Sequence, residues 1–263
     1  MDTTQKKIIL FGCSFSYDLK ESGFDWVEHN YNIIDKFTYG GNSNQRIVED
    51  VYNYINSDEY TDTDILNIQW SYNNRLWVPS NLIDSHFSFH GLQDGLIFNS
   101  NEGYAKYLRK FYQLFIGLFY DNELFFKEQL KQIDLLRTYM DSKNIKYFQY
   151  LHSVNSHFHE TSINDGKKVG YSDLDIRRIN SEPNNGVKDE YYGWKNIAPM
   201  IKSGNKVKLE DYNLQSIEGS RCLAEWVTKN RYESSYPTNI HLSQEGQTAL
   251  ATFLLKKYNL INH

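Results

Sequence analysis

The chain has 263 residues with 28 basic and 33 acidic side chains, and its net charge of −5 argues against a general affinity for nucleic-acid phosphates. Hydrophobic residues make up 40% and charged residues 23%, an ordinary balance for a globular protein with a large core. Two cysteines, Cys13 and Cys222, are too few for a disulfide framework and suit a reducing compartment, with a single bridge between them left open. The apolar run Ile8 to Phe11 is too short for the core of a secretion signal, and no segment approaches the ~18 apolar residues of a membrane span. A soluble, cytoplasmic protein without membrane or nucleic-acid partners is expected. Tyr (21) and Phe (15) are abundant and Pro (4) is scarce, which an AT-rich coding sequence accounts for; tyrosines that stack on sugar rings are the alternative.

In chain order, Ile8-Ile9-Leu10-Phe11 ends at Gly12 and reads as a strand buried on both faces. A second strand is expected at Tyr31 to Ile34, before the Gly40-Gly41 turn. Residues 44–55 carry Ile47, Val48, Val51, Tyr52 and Ile55 at helical spacing. Residues 64–70, DILNIQW, read as the next strand. Residues 76–103 show no clean period, and Leu108 to Tyr120 reads as a helix. A helix over Leu124 to Met140 follows, with Phe126, Leu130, Ile133, Leu136 and Met140 on one stripe, then a strand over Lys146 to Leu151. Residues 153–210 are polar and rich in Gly and Asn. The end, HLSQEGQTALATFLLKKY, is a helix with Ser243 as N-cap and Leu250, Phe253, Leu254 and Tyr258 buried.

Strands alternating with helices predict one α/β domain over 1–263, a three-layer α/β/α sandwich with a mainly parallel sheet, and two insertions at about 76–120 and 152–235. In such sheets the site lies beyond the carboxyl ends of the strands. Three polar clusters follow three strand ends: Gly12-Cys13-Ser14, Gly40-Gly41-Asn42 and Ser71-Tyr72-Asn73-Asn74. A serine at such a turn becomes a nucleophile if a base reaches its hydroxyl and donors face the developing oxyanion. Ser14 is the candidate nucleophile, His241 the candidate base, and Asn73 a candidate amide donor beside the small Gly12, Gly40 and Gly41. Each has a plainer use: Ser14 as a helix cap, His241 as a packing residue, Asn73 as a turn residue with Asn74 as a rival donor, and Gly41 as a positive-φ turn.

These residues resemble the SGNH (GDSL-like) hydrolases, whose sheet is flavodoxin-like. Gly12-Cys13-Ser14 matches the family's Gly-Asp-Ser block with Cys13 for Asp, and Gly41-Asn42-Ser43 matches its glycine turn. Ser71-Tyr72-Asn73-Asn74, after a strand that starts at Asp64, matches Gly-x-Asn-Asp with Ser71 for Gly. TNIHLSQEG, residues 238–246, matches the last block from the histidine onward. The variant form, with GCSF, GGNSN and QWS…R, is similar to tailed-phage proteins of unassigned role, for which a virion or host-cytoplasm location is implied. The resemblance implies Ser14 as nucleophile, His241 as base, and an oxyanion hole of the Ser14 and Gly41 N–H groups with the Asn73 side chain. It implies an acyl-ester substrate, with O-acetyl groups on carbohydrates prominent, and no cofactor or metal.

The chain departs from the family at the acid. Thr238 stands three residues before the histidine and Asn239 two before it, and neither supplies the charge that holds the imidazole in a triad. A Ser-His dyad is implied, its ring oriented by Thr238, Asn239, a backbone carbonyl or a remote carboxylate such as Glu233. A catalytically degenerate scaffold with a phage binding or structural role is the second reading, and an acyltransferase using the same pair is the third. Elsewhere, Arg75 reads as a surface salt-bridge residue or an anion ligand. His152, His157 and His159 beside Glu160 read as a solvated loop rather than a metal site, and Cys13 as a core residue rather than a rival nucleophile. Trp26, Trp70 and Trp77 read as core, with a sugar groove as the alternative.

Overall fold

A strand with four apolar residues in a row needs a covering layer on each face, and β1 (Lys6–Gly12) has both. The structure is a computed structural model that describes residues 6–13, 16, 19–20, 25–26, 31–39, 42–71, 75–80, 85–89, 122–152, 208–230, 232 and 242–257. After β1 come β2 (Tyr31–Thr38), α1 (Asn44–Ile55), β3 (Ile65–Trp70), β4 (Leu76–Ser80), β5 (Ser85–Phe89), α2 (Asn122–Ser142) and β6 (Lys146–Leu151). A 3-10 turn at Leu209–Tyr212, α3 (Leu223–Asn230) and α4 (Gln244–Lys257) complete the described elements.

The main sheet has the order β2-β1-β3-β6, and every pairing is parallel. The order continues by one residue, because Leu214 forms a parallel bridge with Gln149 and the Gln215 N–H donates to Gln149 O at 2.9 Å. This progression is the flavodoxin-like one, in which the carboxyl ends of the strands share an edge. Alternation along β1 divides the core in two. Ile9 and Phe11 pack with α1 and α2 through Ile47, Val51, Phe126 and Ile133. Ile8 and Leu10 pack on the other face with α3 and α4 through Leu223, Trp226, Leu250 and Leu254. The result is the expected α/β/α sandwich.

Helix α1 and strand β6 fall on the residues their periodicity predicts. On α1 the stripe differs by one residue: Tyr54 is buried, whereas Tyr52 is 51% exposed and meets Tyr139 of α2 in a tilted ring contact, centroids 5.3 Å apart. The burial of Tyr54 depends on a hydroxyl partner, Asp64, that periodicity cannot foresee. Strand β2 runs four residues past its expected end. Its pairing slips between Ile9↔Ile34 and Phe11↔Phe37, so a bulge at Asp35-Lys36 hides the alternation. The stretch 76–103, read above as irregular, contains the antiparallel pair β4 and β5, where Pro79 interrupts the strand signal. In the second expected insertion, residues 208–230 contribute Leu209, Leu214, Ile217 and Trp226 to the core. The expected helix at 108–120 lies outside the described residues. Among those residues no helix is long and apolar enough to cross a membrane.

Candidate active site at the carboxyl edge of the sheet

Strand β1 ends at Gly12 with φ +154°, a backbone conformation that side chains rarely adopt. A Cβ there would lie 2.2 Å from Ser16 Oγ and 3.0 Å from both Gln69 Cβ and the Gln69 carbonyl oxygen. Only a glycine lets the chain leave the sheet here. Gly12→Ala is therefore expected to destabilise the fold by about 2–4 kcal/mol. Denaturant unfolding checks this, and an unchanged midpoint would contradict the close approach.

Beyond Gly12 the chain turns inward. Cys13 is fully buried, and its Sγ donates to Gln69 Oε1 at 3.3 Å. Ser16 Oγ donates to the same oxygen at 2.8 Å, and its N–H closes a turn on Cys13 O at 2.9 Å. Cys13 therefore belongs to the core, as expected, and not to the rim. Both cysteines are free thiols.

The turn after β2 is tied to this one. Gly12 O accepts from Tyr39 N at 3.3 Å and from Asn42 Nδ2 at 2.9 Å. Ser43 caps α1, with its Oγ accepting from Arg46 N at 3.3 Å. The Arg46 guanidinium lies 3.6 Å over the ring of Tyr39, at the rim of the turn. One turn along α1, burial pushes the Asp50 carboxyl up to about 6, while Arg46 pulls it down.

The turn after β3 is held from three directions. The Asn44 side chain accepts from Ser71 N at 2.8 Å and donates to Ser71 O at 3.3 Å, a two-point bond. Gln129 Nε2, from α2, also donates to Ser71 O at 3.3 Å. Arg75 Nη1 donates to Ser71 Oγ at 2.6 Å and to Asn42 O at 3.3 Å. Arg75 is thus buried, which corrects its reading as a surface residue. His152 is also buried, its N–H on Trp70 O at 2.8 Å, which corrects its reading as part of a solvated loop. Burial places Trp26 and Trp70 in the core and removes them from any sugar groove.

The three polar turns that the sequence placed at strand ends are therefore joined by hydrogen bonds. Ser14, Gly41, Asn73, His241, Thr238 and Asn239 lie outside the described residues, as do Gly40, Asn74, His157, His159, Glu160 and Glu233. What the structure describes is the frame around them. Cys13 adjoins Ser14, Asn42 adjoins Gly41, Ser71 and Arg75 bracket Asn73, and Leu242 adjoins His241. Cys13 and Leu242 belong to the same core cluster. Among the described residues no group of three or more His, Cys, Asp or Glu is placed to hold a metal ion.

The described residues on either side of the stretch that carries His241 are tied to each other. Ser243 N donates to Tyr232 O at 2.7 Å, and Tyr232 N to Val227 O at 3.0 Å. Ser243 Oγ accepts from Gly246 N at 3.2 Å, which caps α4 as expected. A Cβ on Gly246 would stand 2.6 Å from Tyr232 Cβ and 3.2 Å from its carbonyl oxygen. Helix propensity alone favours alanine at this position by about 1 kcal/mol. The contact with Tyr232 reverses that sign, so Gly246→Ala is expected to destabilise by about 1–2 kcal/mol. A raised melting temperature for this variant would refute the packing account.

The frame residues Asn44, Ser16, Gln69 and Gln129 were not foreseen, and Asn42 was named only as part of its turn. The available signal was a polar side chain inside an apolar run, as with Gln69 in ILNIQW, since a buried amide usually has a structural duty.

No family model and no curated protein matches the chain. Among solved structures it is similar to a member of the lipolytic protein G-D-S-L family from Veillonella parvula, with 16% identity, 97% of this chain and 100% of that chain covered, and a TM-score of 0.41.

Proposed function

We propose that the chain is a serine hydrolase of the SGNH type that cleaves an acyl ester through an acyl-enzyme, with O-acetyl groups of a carbohydrate as the favoured substrate class. The observation that carries this reading is the joining of the turns after β1, β2 and β3 at one sheet edge by Asn42, Asn44 and Arg75. Those turns hold three of the four segments that resemble the family's blocks, and α4 with its Ser243 cap follows the fourth.

In this mechanism Ser14 Oγ attacks the ester carbonyl carbon while its proton passes to the His241 imidazole. The oxyanion is received by the N–H groups of Ser14 and Gly41 and the Asn73 amide. Collapse breaks the bond to the alcohol oxygen, which takes the proton from the imidazolium. Water then repeats the sequence and releases the acid. The chemistry requires no cofactor. Turnover of p-nitrophenyl acetate by wild type, Ser14→Ala and His241→Ala tests the proposal, and equal rates in all three would eliminate it.

Thr238 in the acid's place favours a second reading, a degenerate SGNH scaffold that serves a phage as a binding or structural protein. Complete inertness of the wild type toward esters and toward serine-directed phosphonates supports that reading. Acyl transfer to an added sugar, faster than hydrolysis, would instead support an acyltransferase.

A further inference from the structure

Among the described residues Arg75 is the cationic side chain that hydrogen-bonds to two of the three joined turns. It is 5% exposed, and its acceptors Asn42 and Ser71 are 1% and 0% exposed. A buried guanidinium is costly unless its donors are satisfied, and its planar fork suits it to fixing two oxygens at once. One nitrogen, Nη1, meets both Ser71 Oγ at 2.6 Å and Asn42 O at 3.3 Å. The first bond joins Ser71 to Arg75, the two residues that flank 72–74 in the sequence and so bracket Asn73. The second holds the peptide that follows Gly41. The two acceptors lie on different turns, and the Asn42 contact spans 33 residues of sequence.

We propose that Arg75 is a positioning residue: it ties the turn holding Gly41 to the turn holding Asn73 and so sets the spacing of the oxyanion donors. The proposal rests on the esterase reading and adds a residue to it. Arg75 does not touch the substrate; it acts through Asn42 and Ser71. Loss of the clamp lets two donors drift relative to each other, and oxyanion stabilisation depends on donor placement to a fraction of an ångström. The ester itself is bound before the oxyanion forms, so the cost falls on kcat and not on KM.

The test compares wild type, Arg75→Met, Arg75→Lys and Ser71→Ala, with Arg137→Met on the outer face of α2 as a control. Arg75→Met keeps the bulk and removes the donors. Its kcat for p-nitrophenyl acetate is expected to fall about 10²-fold with KM changed less than about threefold, and Arg75→Lys is expected to recover part of the loss. Ser71→Ala, a milder change in case Arg75→Met fails to fold, is expected to lose about tenfold in kcat. Amide hydrogen exchange is expected to quicken in residues 39–46 and 71–75 of the Arg75 and Ser71 variants and to stay unchanged in Arg137→Met. Folded Arg75→Met with wild-type kcat, or a loss carried entirely in KM, overturns the proposal. If wild type shows no Ser14-dependent turnover, the esterase reading falls and takes the catalytic role of Arg75 with it, while exchange alone then decides whether the clamp exists.

Discussion

Ser14→Ala is expected to lower kcat for p-nitrophenyl acetate by at least about 10³-fold, the scale on which a serine nucleophile and its base act as a unit. His241→Ala is expected to cost nearly as much, and the double variant little more, because each group is useless without the other. Non-additivity is the diagnostic result, since two merely structural residues that neither touch nor share a partner would lose activity independently. On the proposed SGNH reading Thr238 stands where the triad acid would be, and loss of the acid in a serine triad costs about 10⁴ in kcat. The wild type is therefore expected to be slow, and Thr238→Asp to be faster. A rate rise in that variant ties residue 238 to the imidazole. A fall in Glu233→Gln instead assigns the orienting charge to Glu233.

The second large effect is on stability. Asp64→Ala is expected to cost about 3–4 kcal/mol, because it strands the buried Tyr54 hydroxyl and releases two partly buried donors of Thr61. Asp64 is 1% exposed and accepts from Tyr54 OH at 2.6 Å, Thr61 N at 2.9 Å and Thr61 Oγ1 at 2.7 Å. Burial first, then this hydrogen bond, push the Tyr54 phenol well above its ordinary range, so it stays a donor at any working pH. The Lys7 ammonium lies 3.9 Å away and is partly exposed, so it adds little. For a chain of this size the loss corresponds to a drop of roughly 10 °C or more in melting temperature. Asp64 precedes β3, whereas the candidate site follows the same strand, so kcat of the folded variant is expected to be unchanged. A melting temperature within about 2 °C of wild type would refute the role assigned to this carboxylate. Tyr54→Phe, combined with Asp64→Ala in a double-mutant cycle, separates the phenol's share from that of Thr61.

Both predictions start from features that the sequence displays but weighs differently. Asp64 stands in the sequence as the first residue of an expected strand and as part of a resemblance. Its acceptor role depends on Tyr54 ten residues earlier and on the turn at Thr61, and neither contact leaves a periodic trace. The α2 stripe, by contrast, was fully legible: Phe126, Leu130, Ile133, Leu136 and Met140 are all buried. Regular elements declare themselves because one face repeats the same demand at every turn. Strand β2 and the β4–β5 pair were harder, since a bulge and a proline break that repetition.

Local pattern, then, determined β1, β3, β6, α1, α2 and α4, the start of β2, their alternation, and the arrival of a small polar cluster after each of β1, β2 and β3. A parallel sheet with helices on both faces follows from that pattern alone, because each apolar face has to be covered. Only the tertiary structure decided that those clusters are tied to one another, that Arg75 and His152 turn inward, and that Gly246 is needed for Tyr232 to approach α4. The contacts that tie the clusters to one another and to α2 join residues 27 to 58 positions apart. A hydrogen bond across such a span is set by where folding brings its two ends, and neither end alone carries a mark of the other.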